Sequence, residues 1–283
     1  MNINYTTLPS WNPLVQIQAG DSMHYPQPVF CVHHAGGNVI NQVHLARALG
    51  QDIPFFGIQA KGVNGKDKPH QTVEEMAECY IQAMKAIQPR GPYIVGGASG
   101  GGLIAYEIGQ RLLKAGEKIG VLFFLDTFHP SIQPRPKPIG LHIKDIRIEG
   151  PLNYVKHRIM NRVTERQREA ELADLLSMHK TIPPEMREWY LIRNHRFLVS
   201  AYTPQPFPEK VIQFSAERSW WKFAHTTPDR GWADLIPKLE IIRIPGDHDF
   251  HESKEAMTRL GNKLREAIVT KIAATVKVSR QIH

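Results

Sequence analysis

Between residues 29 and 125, short β-rich apolar runs alternate with longer segments of helical periodicity, the pattern of a parallel sheet joined by crossover helices. Strands are expected at 29–33, 55–59, 93–96 and 121–125, and again at 211–214 and 239–244. Asn38 is placed to cap a helix over 39–49, with Gly50 as its stop. Thr72 and Glu75 form a capping-box pair ahead of an amphipathic run over 73–87, which Pro89 forbids to continue. A third helix is expected over 103–115, closed by Gly116. In the last helix Met257, Leu260, Leu264 and Ile268 fall on one face. The expected class is α/β.

After Asp126 the texture changes. Four prolines fall between Pro130 and Pro138, and a stretch rich in Arg, Glu, Leu and Met runs to about Ser200. Its charges interleave with apolar residues at helical spacing, as at Leu172, Leu175 and Leu176, so two or three amphipathic helices are expected there. Residues 127–203 are therefore assigned to a helical lid inserted between two parts of one core, 1–126 and 204–283. With 283 residues and 42% hydrophobic content the chain is able to fill such a core.

Cys31 and Cys79 sit in an apolar run and in a helix-like run, which fits reduced thiols better than a disulfide framework. The first 12 residues lack a charged start followed by an apolar stretch, and nowhere do about 18 uncharged apolar residues run together. A cytoplasmic protein outside the membrane is expected. The net charge of +8 comes from dispersed residues with no nucleic-acid-binding motif beside them, so an acidic protein partner is expected rather than nucleic acid.

The chemistry is carried by Gly97-Ala98-Ser99-Gly100-Gly101, a G-x-S-x-G pattern at an expected strand-to-helix junction. In that context Ser99 is a nucleophile on a strained turn, beside the positive end of a helix dipole, and the class narrows to the α/β-hydrolase fold. Serine needs a base, and the base needs an orienting acid. His248 follows the strand at 239–244 through a Pro-Gly turn and is the expected base, with His251 as competitor. Two acids compete to orient it: Asp126, ending the strand after the serine's own, and Glu217, after the strand at 211–214. An oxyanion hole is expected from the backbone N–H groups of Gly100 and Ala35, the latter in His33-His34-Ala35-Gly36-Gly37. The histidines at 33, 34, 248 and 251 match no zinc spacing, and no metal is expected.

With these residues assembled, the chain resembles a type I thioesterase domain from the end of a nonribosomal peptide synthetase or polyketide synthase. The resemblance spans nearly the whole chain. It rests on the segments 30–38, 56–62, 91–97, 125–126, 202–208 and 244–248. It implies Asp126 as the acid, and a helical lid over a channel that admits the phosphopantetheine arm of an acyl or peptidyl carrier protein. No cofactor is expected beyond that arm, which carries the substrate. The implied reaction is release of a polyketide or peptide acyl chain through a Ser99 acyl-enzyme, by hydrolysis or macrocyclisation. A stand-alone editing thioesterase, a general esterase and a catalytically silent carrier-binding module are the alternatives. Where family elbows carry Trp or His before the serine and Phe after it, this chain has Ala98 and Gly100, which implies a roomier pocket. The lid is long for the group. The carrier domain's serine motif is absent, which reads as the last domain of a synthase or a discrete protein.

Overall fold

The computed structural model describes residues 11–219, 221–249 and 253–281. Seven strands form one sheet: β1 (Leu14–Gln18), β2 (Val29–Val32), β3 (Phe55–Ile58), β4 (Tyr93–Ala98), β5 (Ile119–Leu125), β6 (Val211–Ala216) and β7 (Leu239–Ile244). Their order is β1-β3-β2-β4-β5-β6-β7. Only β1 runs antiparallel, against β3, with a register shift between Gln16 and Gln18. The other neighbours pair parallel, as the alternating pattern requires.

Helices α1 (Gln42–Ala48), α2 (Val73–Ile87), α3 (Gly101–Lys114) and α7 (Lys254–Gln281) flank the sheet. One face buries Phe30, Val95, Phe124, Tyr80 and Tyr106 under α2 and α3. The other buries Cys31, Phe123 and Phe214 under α1 and α7, where Met257, Leu260, Leu264 and Ile268 present the expected apolar stripe. Three helices, α4 (Ile139–Glu149), α5 (Pro151–Ser177) and α6 (Pro184–Ala201), stand between β5 and β6. None of the helices among the described residues is long and apolar enough to cross a membrane.

Two local expectations change. The first helix starts at Gln42 rather than residue 39. The Asn38 side chain accepts the N–H of Ile40, and Gln42 and Val43 donate to the carbonyls of Val39 and Ile40, so the lead-in is a tight turn. At α2, Thr72 caps as expected by accepting the Glu75 N–H at 3.0 Å, but the Glu75 carboxylate reaches back to the N–H of Gln71 rather than Thr72.

Candidate active site

Ser99 sits between β4 and α3 with φ of 53°. A side-chain-bearing residue in the left-handed region is strained, and here it is over-determined by its neighbours. Its N–H donates to the Leu125 carbonyl and its carbonyl accepts from Thr127 Oγ1, both at 2.8 Å. The glycines around it answer to close approach. A Cβ on Gly101 would stand 2.0 Å from the His33 carbonyl oxygen, and one on Gly97 would stand 2.3 Å from the Gly101 backbone. The end of β2 therefore passes against the first turn of α3, and only hydrogen at those positions permits it.

The three side chains selected from the sequence meet. His248 Nδ1–H donates to Asp126 Oδ2 at 2.8 Å, and the Ser99 hydroxyl donates to His248 Nε2 at 2.9 Å. Asp126 accepts only, so its position sets the imidazole tautomer with the acceptor nitrogen facing Ser99. Ser99 and Asp126 stand at the carboxyl ends of adjacent parallel strands, and His248 follows the end of β7, the edge at which open α/β sheets place their sites. Glu217, the rival acid, lies exposed beyond β6. His251, the rival base, lies outside the described residues.

Asp126 is fully buried, at φ 50°, and a second group that the sequence reading did not single out holds it there. Arg230, 1% exposed, donates through Nε to Asp126 Oδ1 at 2.8 Å, and the Ala216 N–H reaches the same oxygen at 3.1 Å. The guanidinium also donates to the Ala216 carbonyl, Ser219 Oγ and Thr226 Oγ1, and its face covers the Phe128 ring. Burial pushes the Asp126 carboxyl up, but the His248 hydrogen bond and the His248 and Arg230 charges outweigh it and hold the group below its ordinary value. Arg230 stands in a turn with no periodicity around it, so only a contact across the fold reveals its partner.

Of the two histidines at the end of β2, His33 is structural. Its Nδ1 faces the His34 carbonyl at 2.6 Å and its Nε2 the Tyr80 hydroxyl at 3.0 Å, and burial pushes its pKa down to about 3. His34 Nδ1 accepts the Gly36 N–H, shaping the loop that carries Ala35. Ala35 and Gly100 both line a cavity of about 760 Å³ that opens on Ser99 and His248. Its lining also includes Ile192, His195 and Val199 of α6.

The profile of the family described as "Thioesterase domain" matches residues 27–265. A non-reducing polyketide synthase of a Nectria species is 27% identical over 260 residues, covering 90% of this chain and 13% of that protein. A dimodular nonribosomal peptide synthase of Bacillus subtilis is 26% identical over 250 residues, covering 84% of this chain and 10% of that protein. This chain thus spans only a small part of those relatives' length. Among solved structures, the NocB thioesterase domain in covalent complex with a fluorophosphonate nocardicin G analogue superposes with a TM-score of 0.64 at 20% identity, covering 90% of this chain and 99% of that one. RedJ, a thioesterase of the prodiginine pathway in Streptomyces coelicolor, gives 0.61 at 20% identity, covering 88% of each chain. This chain shares the α/β-hydrolase fold with these two structures. Since the profile runs from ahead of β2 into α7 and so takes in every strand that builds the site, this chain belongs to the thioesterase-domain family.

Proposed function

We propose that this chain releases an acyl chain from the phosphopantetheine thioester of a carrier protein through a covalent ester on Ser99. The hydrogen-bonded chain from Ser99 through His248 to Asp126 is the observation that carries this reading. In the first step His248 Nε2 takes the Ser99 proton as Oγ bonds to the thioester carbonyl carbon. The carbonyl oxygen becomes an oxyanion facing the N–H groups of Ala35 and Gly100. Collapse breaks the carbon–sulfur bond, and the imidazolium returns its proton to the departing thiolate. In the second step His248 takes a proton from water, or from a hydroxyl or amine of the same acyl chain, as that oxygen or nitrogen bonds to the ester carbonyl carbon. Collapse breaks the bond to Ser99 Oγ, the imidazolium returns the proton to Oγ, and an acid, a macrolactone or a macrolactam leaves.

The helices between β5 and β6 act in this reading as the lid over the acyl chain. The α6 side chains in the cavity wall support that role, and exclusion of water decides between hydrolysis and cyclisation. The net charge of +8 favours encounter with an acidic carrier protein. Turnover of acyl-pantetheine thioesters by the wild-type protein and by Ser99→Ala, with the product identified by mass, tests the proposal. Thiol release by the wild type and its loss in the variant is the expected result. Equal thiol release by both would refute it.

A further inference from the structure

Helix α6 turns Leu191, His195 and Leu198 inward, at 4%, 7% and 3% exposure. Two leucines at that spacing are ordinary packing. The histidine between them is not, because its buried Nε2 has no hydrogen-bond partner among the described residues. A buried imidazole nitrogen left in that state costs free energy unless a partner arrives. That nitrogen packs against the residue after Ser99: it stands 1.8 Å from where a Cβ on Gly100 would be, so any larger residue there would expel it. The family departure at Gly100 and the lid histidine are thus two halves of one contact. His195 lines both the cavity that holds Ser99 and a small recess, and Ala35 borders both. It thus adjoins Gly100, one of the two residues whose backbone N–H groups are expected to face the oxyanion, and shares the cavity lining with the other, Ala35.

From this placement we infer that His195 donates an Nε2–H hydrogen bond to the thioester carbonyl oxygen as it becomes an oxyanion, a third donor beside the N–H groups of Gly100 and Ala35. Burial, with a smaller contribution from His34, pushes the His195 pKa down to about 4, so the ring is neutral at neutral pH and donates without carrying charge into the site. A neutral donor held in place by Leu191 and Leu198 needs no reorganisation when the charge develops, which is the condition under which such a group lowers the barrier. The inference rests on the Ser99 acyl-enzyme reading and adds to it a catalytic residue supplied by the lid.

The test compares the full chain with His195→Leu and His195→Gln on octanoyl-N-acetylcysteamine, and measures inhibition by an octyl trifluoromethyl ketone, which forms a tetrahedral oxyanion on an active serine. His195→Leu is expected to lose about 100-fold or more in kcat, with KM within about threefold of the wild type. The ketone should bind the Leu variant more weakly by a similar factor, and Gln, whose amide N–H extends toward the position of Nε2, should recover a large part of both losses. Unchanged kcat in His195→Leu, or equal losses in Leu and Gln with unchanged ketone affinity, overturns the assignment. Should the Leu variant fail to fold by circular dichroism, Gln against the shorter Asn carries the same comparison, and equal kcat and ketone affinity in those two overturns it. A wild-type protein that forms no fluorophosphonate adduct at Ser99 defeats the acyl-enzyme reading and His195 with it. A wild type that reacts, matched by its His195 variants, defeats only the role of His195.

Discussion

Arg230 and Asp126 form a buried ion pair, and such a pair contributes chiefly through what is left when one partner goes. Arg230→Met strands a carboxylate that has lost its principal cation, and is expected to cost about 3–5 kcal/mol in urea unfolding. It also loosens the acid that orients His248, so kcat should fall more than KM rises. Arg230→Lys keeps the charge but not the fork that reaches Asp126, Ala216, Ser219 and Thr226 together, and should recover only part of the stability. A loss below about 1 kcal/mol in the Met variant would show that other groups hold the carboxylate. Histidines 33 and 195 make stability depend on pH. Their pKa values are depressed in the folded chain, to about 3 and about 4 from 6.5, so the stability they carry is full above 6.5 and is lost as pH falls toward those values. Each is expected to cost roughly 2 kcal/mol at pH 5 relative to pH 7. Asp126, also depressed, adds its loss only below the ordinary carboxylate value of 3.8. Unfolding free energies that are equal at pH 5 and pH 7 would contradict the burial of neutral imidazoles.

The turn between β4 and α3 works as a unit because backbone passes backbone there. Gly101→Ala sets a methyl against the His33 carbonyl, which cannot rotate away as a side chain does. It is expected to destabilise by about 1–3 kcal/mol and to move Ser99 enough to lower kcat. A Gly101→Ala protein with wild-type unfolding and wild-type kcat would mean that the strand end and helix have more freedom than this packing allows. This junction was legible in the sequence because its glycines, its strand and its helix lie side by side in the chain. The strands at β2 to β7 and the stripe of α7 were legible for the same reason, being periodic and apolar. The edge strand β1 was missed: Leu14–Gln18 alternates only briefly and pairs on one side alone. Helix α1 was drawn too long because Asn38 serves a turn instead of a cap. Arg230 and the meeting of His195 with Gly100 were beyond local reading, since each is a contact between segments about 100 residues apart in chain order.

Across the whole molecule, two apolar layers fix the parallel sheet, and the sheet fixes the site. The carboxyl ends of β4 and β5 and the loop past β7 converge on one edge, which brings Ser99, Asp126 and His248 together from positions far apart in sequence. The polypeptide between β5 and β6 leaves from this same edge, so α6 reaches the cavity while its Leu198 packs into the core. The sheet holds Ser99, and α6 lines the cavity in front of it. On the proposed function, Ser99 is the nucleophile this architecture activates. Intact-mass measurement after treatment with an alkyl fluorophosphonate tests it most directly. One phosphonyl adduct is expected on the wild-type chain, mapped to the peptide containing Ser99 and absent from Ser99→Ala. An adduct of equal yield in Ser99→Ala, or no adduct on a folded wild-type chain, would contradict it.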